Sequence, residues 1–402
     1  MKVLVIHHNS VLGGAERSIL ELLSRLKDSG VEAHMMLPGN GPLVKEIAKL
    51  GLPVVQVDLP KLKRTLNPMK LASYLSHRIK LSALAGQYVK EHGIEIVHFN
   101  SISGAVLFSD GLSKIVPTIL HLRDSIVPKI AFRQFASDLS AYIAISEYMH
   151  EVLVSFLEAP PHKVFRILNG LALAGGVTAA ERAKARKSFG FADTDVIFLS
   201  AAAFVPWKNH LSLFDAWKTV SNVHPEAKLV ICGSDVTGEN PDLAKKIEVL
   251  CHNASNCILA GQASDMRKYY AAADVFVHPA IGEPFGRAVA EAQAYGLPAV
   301  VFRSGAMPEI VEHEKTGLIS GLDHSSFAEN MEILASDPEL RKKMGKSATS
   351  RAMKLFTVDR VAQQVLDLYR MILDNSLPSE PPRMPANQKE LRKRRRNKLR
   401  KD

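Results

Sequence analysis

The sequence predicts an α/β protein built from two successive doubly wound halves, and three observations carry that expectation. Short apolar runs alternate with helix-period segments from one end nearly to the other, the order of a parallel sheet covered on both faces. The chain has 402 residues, which at about 150 per domain suggests two or three domains. Hydrophobic residues make up 47% and charged residues 23%. That mix buries large cores and excludes disordered and fibrous classes for most of the length.

In the first half, strands are expected at residues 3–6, 31–37, 54–57, 94–99, 118–122, 141–145 and 164–168, the last ending at Asn169-Gly170. A helical pattern over 15–29 follows the first of them, and amphipathic stretches separate the rest. A small-residue stretch at 172–178 then marks a hinge near 170–180. The second half repeats the pattern with strands at 196–204, 229–232, 258–259, 275–278 and 299–302. Val361, Val365, Leu368, Tyr369 and Ile372 fall at helical spacing, so 357–374 reads as an amphipathic helix docked on a core. From Leu377 the composition turns to Pro and then to Lys/Arg, which cannot bury a core and predicts a mobile tail. The expected division is 1–172, 173–356, a packed helix at 357–376 and a basic tail at 377–402.

The net charge is +10, but it is localised. Residues 59–90 contribute +7 and residues 376–402 another +7, leaving −4 for the rest of the chain. Cys232, Cys251 and Cys257 show neither a disulfide framework nor a CxxC pair, which favours a reducing compartment. Only four apolar residues precede His7-His8, too few for a signal-peptide core. The longest uncharged apolar-rich run, 196–207, is twelve residues, short of the roughly 18 that span a bilayer. A cytoplasmic protein is expected, with any membrane contact peripheral on the inner face.

Three constellations carry chemistry. Gly13-Gly14-Ala15-Glu16 lies between the first strand and the first helix, where glycines let the backbone approach a ligand and a helix start presents free N–H groups. It is either an anion site or a tight βα turn. It is not GxGxxG, and no ribose-binding acid follows about 20 residues on, which disfavours a nicotinamide dehydrogenase. Phe204-Val-Pro-Trp-Lys208-Asn209 closes the first strand of the second half, placing Lys208 either toward a phosphate or on an ordinary loop surface. The third, His278-Pro-Ala-Ile-Gly-Glu283-Pro-Phe-Gly286-Arg287, continues to Glu291-Ala-Gln-Ala-Tyr-Gly296-Leu-Pro298. It runs from a strand through a loop into a helix expected to begin near Phe285. Gly286 exposes amides at that helix start, a ready diphosphate site. Glu283 stands beside it to accept from sugar hydroxyls. Glu291, expected about two turns into the helix, can accept from a vicinal diol such as ribose.

With these residues in hand, the chain resembles the retaining GT-B glycosyltransferases of family 4. The resemblance spans roughly residues 1–375 and rests on the GGAE loop, His121, Ser146 after Ala-Ile, Asn169-Gly170, Pro-Trp-Lys208 and the Glu283-x7-Glu291 motif. It implies two Rossmann-like domains facing each other across a cleft, with a C-terminal helix crossing back to the first domain. It also implies transfer of a sugar, with retention, from a UDP- or GDP-sugar to a glycan or lipid-linked acceptor, as in cell-surface polysaccharide or glycolipid assembly. On this resemblance Glu283 contacts the donor sugar, Glu291 holds the ribose, and Lys208 binds the phosphates. Amides of Phe285, Gly286, Arg287, Gly13 and Gly14 complete the diphosphate site. His121 stands near the reacting sugar, and Arg123 and Asp124 lie on the acceptor side, Asp124 orienting the histidine. His121, Glu283 and Lys208 are thus the expected catalytic residues. Where the family usually carries an arginine five residues before the lysine, this chain has Ala203.

No metal-binding spacing occurs in the sequence, and His7-His8 reads as strand-end packing, so a metal-independent reaction without a cofactor is expected. A hydrolase would need paired carboxylates about 5 Å apart, and none is identifiable. Residues 61–90 combine basic residues with Leu71, Leu75, Ile79 and Leu84 at helical spacing. They form either a packed helix with a solvated face or, together with 378–402, a patch for an anionic membrane. Neither segment has the interleaved aromatics of a nucleic-acid reader, so no nucleic acid is expected. Two other readings fit the fold: a non-catalytic sugar-nucleotide or glycan-assembly partner, which Ala203 favours, and a nonhydrolysing sugar-nucleotide epimerase.

Overall fold

The computed structural model describes residues 1–59, 68–109, 111–123, 138–173, 175–236, 238–263 and 265–379, with the backbone alone for 68–75. The chain forms two units. One comprises Met1–Gly170 together with the chain from Val358, and the other Leu171–Thr357.

The first unit is built on strands β1 (Lys2–Ile6), β2 (Glu32–Pro38), β3 (Val54–Val57), β4 (Ile96–Phe99), β5 (Thr118–Leu122), β6 (Ala141–Ala144) and β7 (Val164–Arg166), in the order β3-β2-β1-β4-β5-β6-β7. Every pairing is parallel, with Val3 opposite Ala33 on one side and Ile96 on the other. Because helices cover both faces, these strands are mostly apolar instead of alternating; β4, β5 and β6 are wholly buried. The helix Gly14–Asp28 buries Ile19, Leu22, Leu23 and Leu26, which recur every three or four residues, against this sheet.

The same core takes in the helix Val358–Leu373 through Val361, Val365, Leu368, Tyr369 and Ile372. Full burial of each such side chain is worth about 1.5–3 kcal/mol, so packing holds this helix far more than propensity does. Gly170 makes its approach possible: a Cβ there would lie 2.8 Å from the Val358 Cα.

The second unit contains β8 (Val196–Ala201), β9 (Ala227–Cys232), β10 (Cys257–Gly261), β11 (Val275–His278), β12 (Ala299–Phe302) and β13 (Gly317–Ser320), in the order β10-β9-β8-β11-β12-β13, again all parallel. Its core gathers Phe198, Leu213, Trp217, Leu229, Phe302 and Phe327. The Trp217 indole N–H donates to the Ser255 carbonyl at 2.9 Å, satisfying the polar edge of a buried ring.

Several expectations need correction. Strand β13 was not foreseen, because Gly317-Leu-Ile-Ser offers only two apolar residues. It sits so close to β12 that a Cβ on Gly317 would lie 2.1 Å from the Ala299 carbonyl oxygen. Strand β8 stops at Ala201, three residues early, and β7 stops at Arg166. Cys251 and Cys257, expected as free thiols, form a disulfide. The chain reverses between the helix Pro241–Asn253 and β10, which brings their Cα atoms to 5.4 Å, within disulfide range. Cys232 is buried and free.

In each sheet the strand order reverses beside the first strand, between β1 and β4 in one unit and between β8 and β11 in the other. Ligand crevices of open α/β sheets lie outside the carboxyl ends of strands at such reversals. The three motif constellations follow β1, β8 and β11, and His121 and Arg123 lie at the end of β5, next to β4 in the sheet.

Candidate functional site

In the second unit the carboxylate of Glu283 is the hub. Its Oε2 accepts from Lys208 Nζ at 2.5 Å and from His278 Nε2 at 3.0 Å. Lys208 follows β8 in a short 3-10 turn, Pro206–Lys208, and His278 is the last residue of β11. Burial alone would push the Glu283 carboxyl up, but the Lys208 charge and the His278 contact outweigh it and hold the group at about 2. Burial first, and then the Lys208 charge, push His278 below the usual imidazole range despite Glu283.

The loop carrying Glu283 is fixed by its backbone. The Ile281 N–H donates to the Trp207 carbonyl, the Gly282 N–H to Ser304 Oγ, and the Ala306 N–H to the Glu283 carbonyl, at 2.8, 2.9 and 2.8 Å. A Cβ on Gly305 would lie 2.4 Å from the Glu283 carbonyl oxygen, so only glycine permits this approach. Gly286, at φ +94°, then turns the chain into the helix Arg287–Ala294. That helix begins two residues later than expected, and Glu291 accordingly lies about one turn into it, not two. The Phe285 ring is core, edge-on to Phe356 with centroids 5.7 Å apart, leaving only its backbone for a ligand.

Glu291 is held at both oxygens, by Arg287 Nε at 2.7 Å and by the Tyr270 hydroxyl at 2.9 Å. Tyr270 stacks on Tyr295 with centroids 5.0 Å apart. His210 is buried with both ring nitrogens unpartnered among the described residues. Burial, then the His278 and Lys208 charges, bring it down to about 3.

In the first unit a chain of buried polar groups runs from the GGAE loop to the C-terminal helix. Glu16 Oε2 accepts the Gly13 N–H at 3.0 Å, and its Oε1 lies 2.8 Å from His7 Nε2. The Gly13 amide, expected to face a diphosphate, is therefore engaged by the chain's own carboxylate three residues on, a helix-capping contact. Burial tends to raise the Glu16 carboxyl, but the hydrogen bond and charge of His7 bring it to about 2. Burial, then the His7 charge, lower His8 to about 4. His7 Nδ1 lies 3.3 Å from Asn100 Nδ2, and Asn100 Oδ1 accepts from Arg123 Nε at 2.8 Å.

Arg123 also donates to Asn169 Oδ1 and, through Nη2, to His121 Nδ1 at 3.3 Å. His121 Nδ1 lies 3.2 Å from His98 Nε2, and His98 Nδ1 lies 2.6 Å from the Tyr369 hydroxyl. Burial and then the Arg123 charge push His98 to about 3 and His121 well below the imidazole range. Asp124 lies outside the described residues.

The fold therefore brings Lys208 to Glu283, Arg287 to Glu291, and His121 to Arg123. Sequence reasoning gave no chemical role to His278, Tyr270, His210, His98 or Asn100, read His7 and Tyr369 as packing only, and gave Glu16 no role beyond its place in the GGAE loop. The signal for His7, Asn100 and His278 was a polar residue closing an apolar strand; His98 lies one residue inside its strand, and Tyr369 had no signal beyond its helical spacing. Among the described residues, no group of three His, Cys, Asp or Glu side chains is placed to hold a metal ion, and no helix is long and apolar enough to cross a membrane.

Two Rossmann-like units, each with a polar cluster at its switch point, define the GT-B class of fold. The Glycosyltransferase Family 4 model matches residues 12–174 and the Glycosyl transferases group 1 model matches residues 181–351. The chain belongs to this glycosyltransferase family. It is 27% identical over 241 residues to an uncharacterised glycosyltransferase of Methanocaldococcus jannaschii, a match covering 58% of this chain and 60% of that protein's length. It is 23% identical to the UDP-Gal:alpha-D-GlcNAc-diphosphoundecaprenol alpha-1,3-galactosyltransferase of Escherichia coli, over 92% of this chain and 96% of that one. The crystal structure of Anabaena HepE in complex with UDP is similar in fold, with a TM-score of 0.79 at 21% identity, covering 92% of this chain and 100% of that one.

Proposed function

We propose that the protein transfers a sugar from a nucleoside-diphosphate sugar to a glycan or lipid-linked acceptor, with retention of anomeric configuration. The observation that carries this reading is the Glu283 hub at the β8/β11 switch point, with a helix N-terminus and a second, doubly held carboxylate one turn on. Lys208, Arg287 and the amides at the start of the helix Arg287–Ala294 take the diphosphate and stabilise the negative charge that grows as it leaves, without a metal. Glu283 accepts from hydroxyls of the donor sugar, and Glu291 from the ribose diol. His121 acts at the transferred sugar, and Arg123 and Asp124 on the acceptor side. The donor belongs to the second unit and the acceptor to the first.

The names of relatives point the same way: the Escherichia coli protein is named for a UDP-sugar donor and a diphosphoundecaprenol-linked acceptor, and HepE was solved with UDP. A lipid-linked acceptor fits a peripheral position on the inner membrane face, reached through residues 61–90 and 378–402, and a role in cell-surface polysaccharide or glycolipid assembly. The test is release of UDP or GDP from a panel of nucleotide sugars with lipid-diphosphate and glycan acceptors, the product's anomeric configuration being read by NMR. Acceptor-dependent release with retention supports the reading; donor binding without release in any pairing favours instead the sugar-nucleotide-binding role that Ala203 suggests.

A further inference from the structure

The proton positions in the first unit's buried network are forced by its geometry. A guanidinium only donates, so His121 Nδ1, 3.3 Å from Arg123 Nη2, must present a lone pair. The same Nδ1 lies 3.2 Å from His98 Nε2. Two facing lone pairs would repel, so His98 carries its proton on Nε2 and donates. A neutral His98 then has its lone pair on Nδ1, where the Tyr369 hydroxyl donates at 2.6 Å. Each assignment fixes the next, and the proton of neutral His121 is left on Nε2. That nitrogen is buried and has no partner among the described residues, although a buried donor left unpaired costs about 1–3 kcal/mol.

We propose that Tyr369 and His98 are positioning residues that lock His121 as the Nε2–H tautomer, so that His121 meets its substrate as a hydrogen-bond donor and not as a base. The tautomer follows from the network alone; the substrate it serves rests on the glycosyl-transfer reading above. A donor of this kind fits a sugar hydroxyl or a developing oxyanion, and it takes no proton from the acceptor. Tyr369 reaches this position from the helix Val358–Leu373, and His98 and His121 from the ends of β4 and β5, so residues 271 apart in sequence set one proton.

The experiment is long-range 1H–15N NMR of the imidazole rings in the intact, 15N-histidine-labelled protein at pH 7. The His121 signals are assigned by their loss in His121→Gln. The expected result is a pyrrole-type Nε2 and a pyridine-type Nδ1 for both His121 and His98. A protonated Nδ1 on His121, or an imidazolium, overturns the proposal. Tyr369→Phe removes the donor to His98 Nδ1, so it should shift that nitrogen's signal and, where turnover is measurable, lower kcat by about 2- to 12-fold with the donor KM unchanged, the range of one neutral hydrogen bond. Unchanged ring shifts in Tyr369→Phe remove Tyr369 from the device. Because the NMR readout needs no activity, a locked Nε2–H in a protein that transfers no sugar would sink the functional reading and leave the tautomer standing.

Discussion

Lys208 and Glu283, 75 residues apart in sequence, form an ion pair of 2.5 Å in which the lysine side chain is 15% exposed and the carboxylate 8%. Both charges are largely out of water, so each depends on the other. Breaking a buried pair by removing one partner typically costs about 3–5 kcal/mol. Lys208→Ala should therefore lower Tm and also reduce kcat/KM by about 10- to 150-fold, the worth of a charged hydrogen bond to phosphate. The double variant Lys208→Met, Glu283→Gln should recover Tm without recovering turnover. Normal donor affinity and rate in Lys208→Ala would move the phosphate site elsewhere.

Glu283 and Glu291 should fail differently. Glu291 is held by Arg287 and Tyr270 within the helix, whereas Glu283 sits in the loop before it. Glu291→Ala should weaken binding of free nucleoside diphosphate as well as of the sugar nucleotide. Glu283→Ala should spare the first and damage turnover. Calorimetric titration of both ligands against both variants reads this, and equal loss of nucleoside-diphosphate binding contradicts the assignment.

Gly305→Ala should be worse than Gly286→Ala. At Gly305 the new methyl meets backbone atoms of Glu283 at 2.4 and 2.5 Å, whereas at Gly286 it meets the flexible end of Met307. The first forces the Glu283 loop to move, at a cost of about 1–3 kcal/mol typical of overpacking. The second retains a left-handed backbone cost of about 1–2 kcal/mol. Thermal unfolding together with donor affinity should rank them in that order, and the reverse order would show that Gly305 does not position the loop.

Stability should decline as pH falls below about 6.5. His8, His98, His121, His210 and His278 are all shifted down by burial in the folded chain. The unfolded chain therefore binds protons below the ordinary imidazole value while the native one does not, and acid favours unfolding. Each such histidine removes about 1.4 kcal/mol per pH unit. Glu16 and Glu283, both near 2 in the folded chain, add to the loss below about 4.5. Tm measured from pH 7.5 to 4.5 should fall with increasing slope; a flat profile between 7 and 5 would mean these rings are charged or exposed.

The basic segments should bind anionic membranes reversibly. Residues 60–67 and 380–402 lie outside the described residues, so the expectation rests on charge: a pair of +7 stretches against −4 elsewhere. At about 1 kcal/mol per charge near a negative leaflet, flotation with anionic liposomes should succeed at low salt and fade as screening shortens. Deleting 378–402 should reduce it. Equal recovery with neutral vesicles at low salt would leave the charges a solubilising role only.

Much of this fold was legible because fully buried parallel strands announce themselves as unbroken apolar runs. Strand β5 begins and ends where its run does; β13, with two apolar residues after a glycine, leaves no such trace. Lys208 and Glu283 stood out as candidates because each sits in a Gly- or Pro-marked loop after a strand. That they touch was not, since pairing across 75 residues has no local signature. The Tyr369–His98 contact spans 271 residues and is hidden for the same reason. The Gly13 amide was misjudged because Glu16, a residue of the same motif, competes for it within one turn.

The membership of the helix Val358–Leu373 in the first unit has a consequence for biosynthesis. The polypeptide emerges from the ribosome N-terminus first, so the opening 170 residues appear without the side chains that finish their core. They must wait for about 190 intervening residues, roughly 10 to 40 s at 5–20 residues per second. By the end of that interval the second unit has all its strands and can fold before the helix arrives, leaving the earlier-made part of the chain to be completed last.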